Sequence, residues 1–488
     1  MSVSFDLIPV NLRIPGVFAE FDSSNAMQGL PIMPVKGLIV GQRLAAGSKS
    51  ALDFTRVTNV EDAKAYYGAG SMLALMYETW HKNNSFTECI CVALDDDGDG
   101  VLAAWDVTFT GAATAPGIVT IYVGGKLVRT GVSIGDDAAA VATALVADIT
   151  AETDLPVTAA AVAGVVTLTA KNKGEAGNGI DIRFNYYDGD VFPSGIAGTV
   201  AVKIAGAGNP ILDDMIAAMG DEWYNFIALP YTDAVSLTAM EAELDRRWGP
   251  MHPFDGRAFA VCRGTHSELG TFGDSRNSAH VCCMHGHGVP TSTFEMAAAL
   301  AAEAAYHGAI DPARPFTTLE LKGVLPPKKE DRFSMEERNL LLFDGISTFT
   351  VDAGGKMRIE KLITMYKKSD GGAEDSSYLY VNTLLTLSYL RFSLRNRFLL
   401  KFPRHKLADD GTRFGAGQKI VTPKVAKAEI LALFRDWELS GLVENVDQFK
   451  ADLIVERDAS NRNRLNMLIP PDLINQADIF AGQFQFIW

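Results

Sequence analysis

Two stretches of the 488-residue sequence carry residue types at spacings that suit chemistry. In "DDDGDGVLAAWD" (95–106), Asp95, Asp97 and Asp99 fall at the first, third and fifth positions of a calcium loop, Gly100 at its sharp turn and Asp106 at its twelfth. A calcium loop of that kind is flanked by helices and closed by a bidentate Glu. Here the flanks alternate as strands do and the closing residue is Asp, so the run reads as a solvated connection into a β-rich region. The second stretch, "HVCCMHGHG" (280–288), gathers Cys282, Cys283, His285 and His287. On an extended strand Cys283, His285 and His287 share one face. A zinc site needs a second ligand pair from another element, and none is evident, so a strand entering a glycine turn is expected.

Other chemistries leave no mark. "GAGSMLAL" (68–75) lacks the lysine of a phosphate-cradling Walker loop and the spacing of a dinucleotide fingerprint. No Gly-x-Ser-x-Gly elbow occurs, and no His stands beside an obvious nucleophile and acid. The segment "LRFSLRNRFLLKFPRHK" (390–406) concentrates Arg391, Arg395, Arg397, Lys401, Arg404 and Lys406. Arg391 and Arg395 lie four apart and share a helix face. Such a stripe is either a solvated face or a dock for an acidic surface.

The elements that must hold these residues follow from patterning. The arm 1–35 is punctuated by Pro9, Pro15, Pro31 and Pro34, with "GVFAEFD" alternating as an extended strand. "GLIVG" (37–41), helical material over 59–83 capped by Asn59, and "ECICVAL" (88–94) give the strand–helix–strand order of an α/β core over 36–95. From 96 to 205 Ala, Gly, Thr and Val dominate alternating runs with glycine turns, "VGGK" (123–126) among them. One helix, about 136–151, interrupts what is expected to be an inserted β-rich domain. The core resumes over 206–330, where "STFEMAAALAAEAAYHG" carries a predicted capping box, Ser292 with Glu295, and a stop at Gly308. Beyond "VLPPKKEDRF" (324–333) a C-terminal α+β domain is expected over 331–470. It opens with a short helix and a hairpin turning at 353–355. Two amphipathic helices follow, the second with Ile430, Phe434 and Trp437 on one face, then a β pair, "FKADLIVERD" and "RLNMLI". The predicted fold class is thus α/β and α+β, multidomain, with extended arms at both ends.

Bulk composition narrows the partners. A net charge of −15 argues against nucleic acid, since phosphate binding needs clustered cations. No run of eighteen apolar residues suggests a membrane span, and the start lacks the basic-then-apolar order of a signal peptide. Five cysteines, odd in number and set in apolar runs, fit a reducing cytoplasm. No cofactor is expected.

The last residues pose the sharpest question. "ADIFAGQFQFIW" (477–488) alternates Phe484, Phe486 and Trp488 against Gln483, Gln485 and Ile487, with no chain left for a partner strand. Either the tail returns to its own sheet or it serves another chain.

Taken with "IPGVFAEFDSSNAMQGLP" (14–31), "GAGSMLALM" (68–76), "GEAGN" (174–178), "RWGP" (247–250), "DPARPFTTLELKGVLPP" (311–327), "LLFDGISTFTVDAGGKMRIEKLIT" (341–364), "KLADDGTRFGAGQKIVTPK" (406–424) and "NRLNMLIPPDLINQ" (463–476), the chain resembles the tail sheath proteins of Mu-like contractile bacteriophages over essentially its whole length. The resemblance implies a structural protein and not an enzyme. It implies a homo-oligomer stacked as a helical cylinder around a tail tube, with baseplate and tail terminator proteins as further partners. Such a sheath is assembled in the host cytoplasm, carried on the virion tail, and contracts to drive the tube through a host envelope. The family's arms reach into neighbouring subunits. Carried onto this sequence, those linking residues are Ile14, Pro15, Gly16, Val17, Phe18 and Phe21 at one end and Ile479, Phe480, Phe484, Phe486 and Trp488 at the other. The inserted domain faces outward, and Arg391, Arg395 and Arg397 face the tube. Two rivals stand beside this: a cytoplasmic metal-dependent enzyme using the acidic or Cys/His cluster, and the sheath of a secretion-type contractile injector.

Overall fold

The structure, a computed structural model, describes residues 14–17, 19, 30–415 and 417–487. Contacts divide the chain into two compact units. The larger holds Val35–Ile310 and Phe316–Val381; the smaller holds the N-terminal residues up to Pro34, Asp311–Pro315 and the chain from Asn382 onward.

The larger unit begins with β1 (Lys36–Gln42), β2 (Phe54–Arg56), α1 (Val60–Tyr67), α2 (Met72–Asn83) and β3 (Glu88–Leu94). β1 pairs parallel with β3 from Lys36↔Glu88 to Gln42↔Leu94. The continuous apolar run of β1 suits a strand covered on both faces, as parallel strands are. Asn59 caps α1 as expected, its side chain accepting from the Asp62 amide at 2.8 Å. Gly37 is required by a close approach: a Cβ there would meet the Trp80 ring of α2 at 2.4 Å.

The insertion follows: β4 (Leu102–Gly111), β5 (Gly117–Val123), β6 (Lys126–Val132), α3 (Ala138–Ala151), β7 (Val157–Val162), β8 (Val165–Lys173), β9 (Ile182–Phe184) and β10 (Ile196–Ile204). They form a four-stranded sheet, β10-β4-β8-β7, and a three-stranded one, β6-β5-β9. All pairings within both are antiparallel. α3 packs on both sheets through Val141, Ala142, Leu145 and Ile149. The β5–β6 turn uses Gly124 and Gly125 at φ 57° and 81°, the left-handed pair that a two-residue hairpin demands.

The chain then returns to the core with α4 (Asp213–Ala218), β11 (Phe226–Ala228), α5 (Ala234–Trp248), β12 (Arg257–Cys262), α6 (His266–Asp274), β13 (Val281–His285), α7 (Thr293–Ile310), α8 (Met335–Phe343), β14 (Ile346–Val351) and β15 (Met357–Lys361). The core sheet runs β15-β14-β13-β12-β11-β1-β3-β2. It is parallel from β3 through β14, with antiparallel β2 and β15 at its edges. The alanine-rich α7 is buried almost all round between this sheet and α2. Two expectations are corrected here. The hairpin β14–β15, read as the head of the third region, extends the core sheet through Cys283↔Ile346 and Met284↔Ser347. The capping box of Ser292 and Glu295 does not form: Ser292 Oγ and Glu295 Oε2 have no hydrogen-bond partner, and α7 runs two residues past Gly308. The N-terminal turn of α7 is buried, and the Glu295 carboxyl is buried with it.

The smaller unit contains α9 (Val381–Lys401) from Asn382 onward, β16 (Lys406–Leu407), β17 (Ile420–Val421), α10 (Pro423–Leu439), β18 (Val443–Glu444), α11 (Val446–Asp452), β19 (Ile454–Arg457), β20 (Leu465–Leu468) and β21 (Asp472–Leu473). α10 starts as helices should, with Thr422 accepting from the Val425 amide and Pro423 in the first turn. Its face of Ile430, Phe434 and Trp437 forms the core with Leu390, Leu433, Leu442, Phe449 and Leu453. Phe434 stacks on Phe449 at 4.0 Å, and Trp437 Nε1 donates to Ser393 Oγ at 2.9 Å. The stretch "FKAD", expected as strand, is the end of α11, because Phe449 is needed in that stack.

Candidate functional site

The residues of the acidic run do not converge. Asp95 pairs with Arg43 at 2.7 Å, and Asp97 Oδ1 accepts from the Asp99 amide. Asp106 lies on β4, paired with Lys203 at 3.0 Å and bonded by Thr167. Asp96 is the structural member: it accepts from Gln42 Nε2 (2.6 Å), Asn172 Nδ2 (3.0 Å) and the Lys173 amide (3.0 Å), stitching the insertion to β1.

Cys282, Cys283 and His285 lie on β13, buried in the sheet, and His287 follows it. Cys283 and His285 share a face as expected, but their surroundings are those of a core. Burial pushes the Cys282 thiol up to about 12. His285 stacks on Phe349 at 4.4 Å and His287 on Phe333 at 4.4 Å, with His266 edge-on to the same Phe333 ring. Both ring nitrogens of His285 lack partners. Burial, and then electrostatic repulsion from His287, Arg338 and His266, depress its pKa to about 3. Among the described residues no group of three His, Cys, Asp or Glu is placed to hold a metal ion.

The ends of the chain are arranged differently. After β21 the chain runs without regular structure to residue 487. Phe480, Phe484 and Phe486 are 89%, 99% and 83% exposed, and Ile479 is exposed too. Among the described residues, nothing hydrogen-bonds to the backbone from Ile479 to Ile487. The chain's own sheets therefore do not take this segment. At the other end Ile14, Pro15, Gly16 and Val17 are exposed. Phe18, Phe21 and Trp488 lie outside the described residues. The N-terminal arm is fixed where it joins the smaller unit: Leu30 packs against that unit's core, and Tyr389 Oη donates to the Pro31 carbonyl at 3.0 Å. No spacing in the sequence announces this pair.

An open edge lies in the same unit. β19 and β20 pair only with each other, Ile454↔Leu468 to Arg457↔Leu465, so each has a backbone edge without a partner among the described residues. Ile454 and Leu468 are exposed on this hairpin. An unpaired edge is a template for an added strand.

The basic stripe is divided. Arg397 is bound to Glu429 and, at 3.4 Å, to Asp436, which ties α9 to α10. Arg391 is half-buried, whereas Arg395 is exposed, as are Leu399 and Leu400 one turn on.

Comparison with known proteins places this architecture. Residues 205–365 match the phage tail sheath protein central domain, and residues 373–487 match the phage tail sheath C-terminal domain. The whole chain is 45% identical over 487 residues, all of both proteins, to the Mu-like prophage FluMu tail sheath protein of Haemophilus influenzae. The chain belongs to the phage tail sheath protein family. Among solved structures it is similar to the sheath tail protein Lin1278 of Listeria innocua, with a TM-score of 0.50 at 14% identity over 93% of this chain and 95% of that one. The helical sheath of the anti-feeding prophage in its contracted state aligns with a TM-score of 0.49 at 11% identity, over 97% and 99% of the two chains. Membership in a family of tail sheath proteins sets aside the metal-dependent enzyme.

Proposed function

We propose that this sheath protein is the repeating subunit of a contractile phage tail. Copies stack as a helical cylinder around a tail tube, between a baseplate and a tail terminator, and contraction drives the tube through the host envelope. Assembly takes place in the host cytoplasm and the product resides on the virion tail. The observation that carries this reading is the full-length likeness to a tail sheath protein.

The exposed arms supply the linking chemistry. A strand with no partner of its own hydrogen-bonds to an open sheet edge by β-augmentation. The donors are 14–21 and 478–488, and the acceptor is the β19–β20 hairpin of a neighbouring copy. Burying Phe480, Phe484 and Phe486 contributes on the order of 5–9 kcal/mol. Ordering the arm costs about 1–2 kcal/mol per residue, so a single joint is weak and the cylinder depends on many. The contact joins two different surfaces, and such a heterologous contact builds a filament when its rotation does not close. The exposed end of α9, with Arg395, faces the acidic surface of a tube.

Negative-stain microscopy of the purified protein tests both parts. The full chain is expected to form cylinders, and a variant ending at Gln476 to remain folded but unassembled. Normal cylinders from the truncated chain would overturn the linking role, and absence of any polymer from the full chain, even with a tube supplied, would overturn the sheath reading.

A further inference from the structure

The β5–β6 turn of the insertion closes over a buried carboxyl group of the core. A Cβ on Gly124 would stand 2.7 Å from Ser292 Oγ and 3.8 Å from Glu295 Oε2, and one on Gly125 2.9 Å from Thr291 Oγ1. The turn therefore lies flat on the start of α7, and the Gly124 amide donates to the Asp181 carbonyl at 2.8 Å, which ties the turn to the strand end beside it within the insertion. Beneath it Glu295 is buried, with neither its Oε2 nor Ser292 Oγ hydrogen-bonded. The charged groups facing it are Lys126 from β6, and Glu78 and Lys82 from α2. Lys126 is already engaged, with Glu78 at 3.2 Å and the Asp154 carbonyl at 3.3 Å, and Lys82 holds the other oxygen of Glu78 at 2.8 Å.

We propose that this seam is a proton-operated latch: the turn stays seated on α7 while Glu295 is neutral, and lifts when Glu295 ionises. The physical reason is solvation. A neutral carboxyl tolerates the dry seat, but a carboxylate needs donors or water, and the backbone of the turn occupies the space that water needs. Burial first, opposed by Lys126, the neighbouring Ser292 hydroxyl and Lys82 and reinforced by Glu78, raises the group to about 7, against 4.5 for an ordinary glutamate. The raised value means that the closed state binds the proton better. The latch is thus favoured at low pH and loosens as pH climbs from about 4.5 to about 7. Water admitted at the turn would free the β5–β6 hairpin from the core without unfolding it.

Hydrogen–deuterium exchange on the full chain tests this, reading the peptide that spans 121–127 and correcting for the intrinsic pH dependence with an unstructured peptide of the same sequence. Opening of the turn is expected to rise about 4-fold between pH 6.5 and 8.5 in the wild type. In Glu295→Gln, which keeps the shape and cannot ionise, it should not change. Equal pH dependence in the two proteins, or none in the wild type, overturns the latch. Gly124→Ala gives a second reading that leaves Glu295 in place. Its Cβ props the turn away from Ser292, so exchange should be fast at both pH values, and retention of wild-type protection at pH 6.5 would refute the contact.

Discussion

His285 provides a measurement with a sign and a size. It is 2% exposed, between Phe349 and Phe333, and neither ring nitrogen has a partner. Its pKa in the fold is about 3, against 6.5 for an ordinary histidine. Between those values the unfolded chain holds a proton that the folded chain excludes. Stability is therefore undiminished above pH 6.5, falls as pH drops below it, and is fully reduced below pH 3. At pH 5 the penalty is about 2 kcal/mol, and its limit is about 5 kcal/mol. His285→Leu removes the titration and keeps an apolar side chain among the rings, although the lost stack weakens the variant at every pH. The assay is urea unfolding at pH 7.5 and pH 5, monitored by exchange in peptides from β13 and α8. The wild type should lose about 2 kcal/mol more than the variant between the two pH values. His266, His287 and Arg338 remain in both proteins, so the difference between them reports His285. Identical losses would show that His285 is hydrated or paired in solution, and the account of the Phe333 cluster would fail.

Three further outcomes follow from particular contacts. Gly37→Val places carbon where the Trp80 ring lies, and should cost about 1–3 kcal/mol or prevent folding of the core, read as the thermal midpoint. Arg397→Met removes the tie from α9 to Glu429 and Asp436, which are only partly screened, and should lower the stability of the smaller unit by about 1–2 kcal/mol, read by urea unfolding. Phe484→Ser together with Phe486→Ser should leave the thermal midpoint of the unassembled protein unchanged, since both rings are exposed, and abolish cylinders in negative stain. A lowered midpoint would mean that the arm folds home.

Patterning exposed those parts of the molecule whose structure is decided locally. The apolar run of β1, the cap at Asn59, the glycine pair at 124–125 and the face of Ile430, Phe434 and Trp437 each carry their cause within a few residues. What patterning missed depends on distant partners. β14 reads as a hairpin strand because its tie to β13, Cys283↔Ile346, joins residues 63 apart in sequence. Ser292 and Glu295 have the spacing of a capping box, but a turn more than 160 residues earlier covers that helix end and leaves the carboxyl without the water a box allows. At the proposed assembly site, the aromatic alternation of the tail is read from the sequence because it needs no partner within the chain to be recognised. The clamp of Tyr389 on Pro31 is not, since a tyrosine on an amphipathic helix gives no sign of which carbonyl its hydroxyl will meet.

That clamp has a mechanical corollary. Both termini emerge from the smaller unit, and the N-terminal one is bolted there by Leu30 and the Tyr389–Pro31 bond before the chain crosses into the larger unit at Val35. In the proposed lattice, tension passed from copy to copy thus enters and leaves through α9, α10 and their shared interior, and the eight-stranded sheet with its insertion is spared the pull. Lengthening or trimming loops of the insertion should accordingly alter what the cylinder presents to its surroundings while leaving its tensile strength as it was.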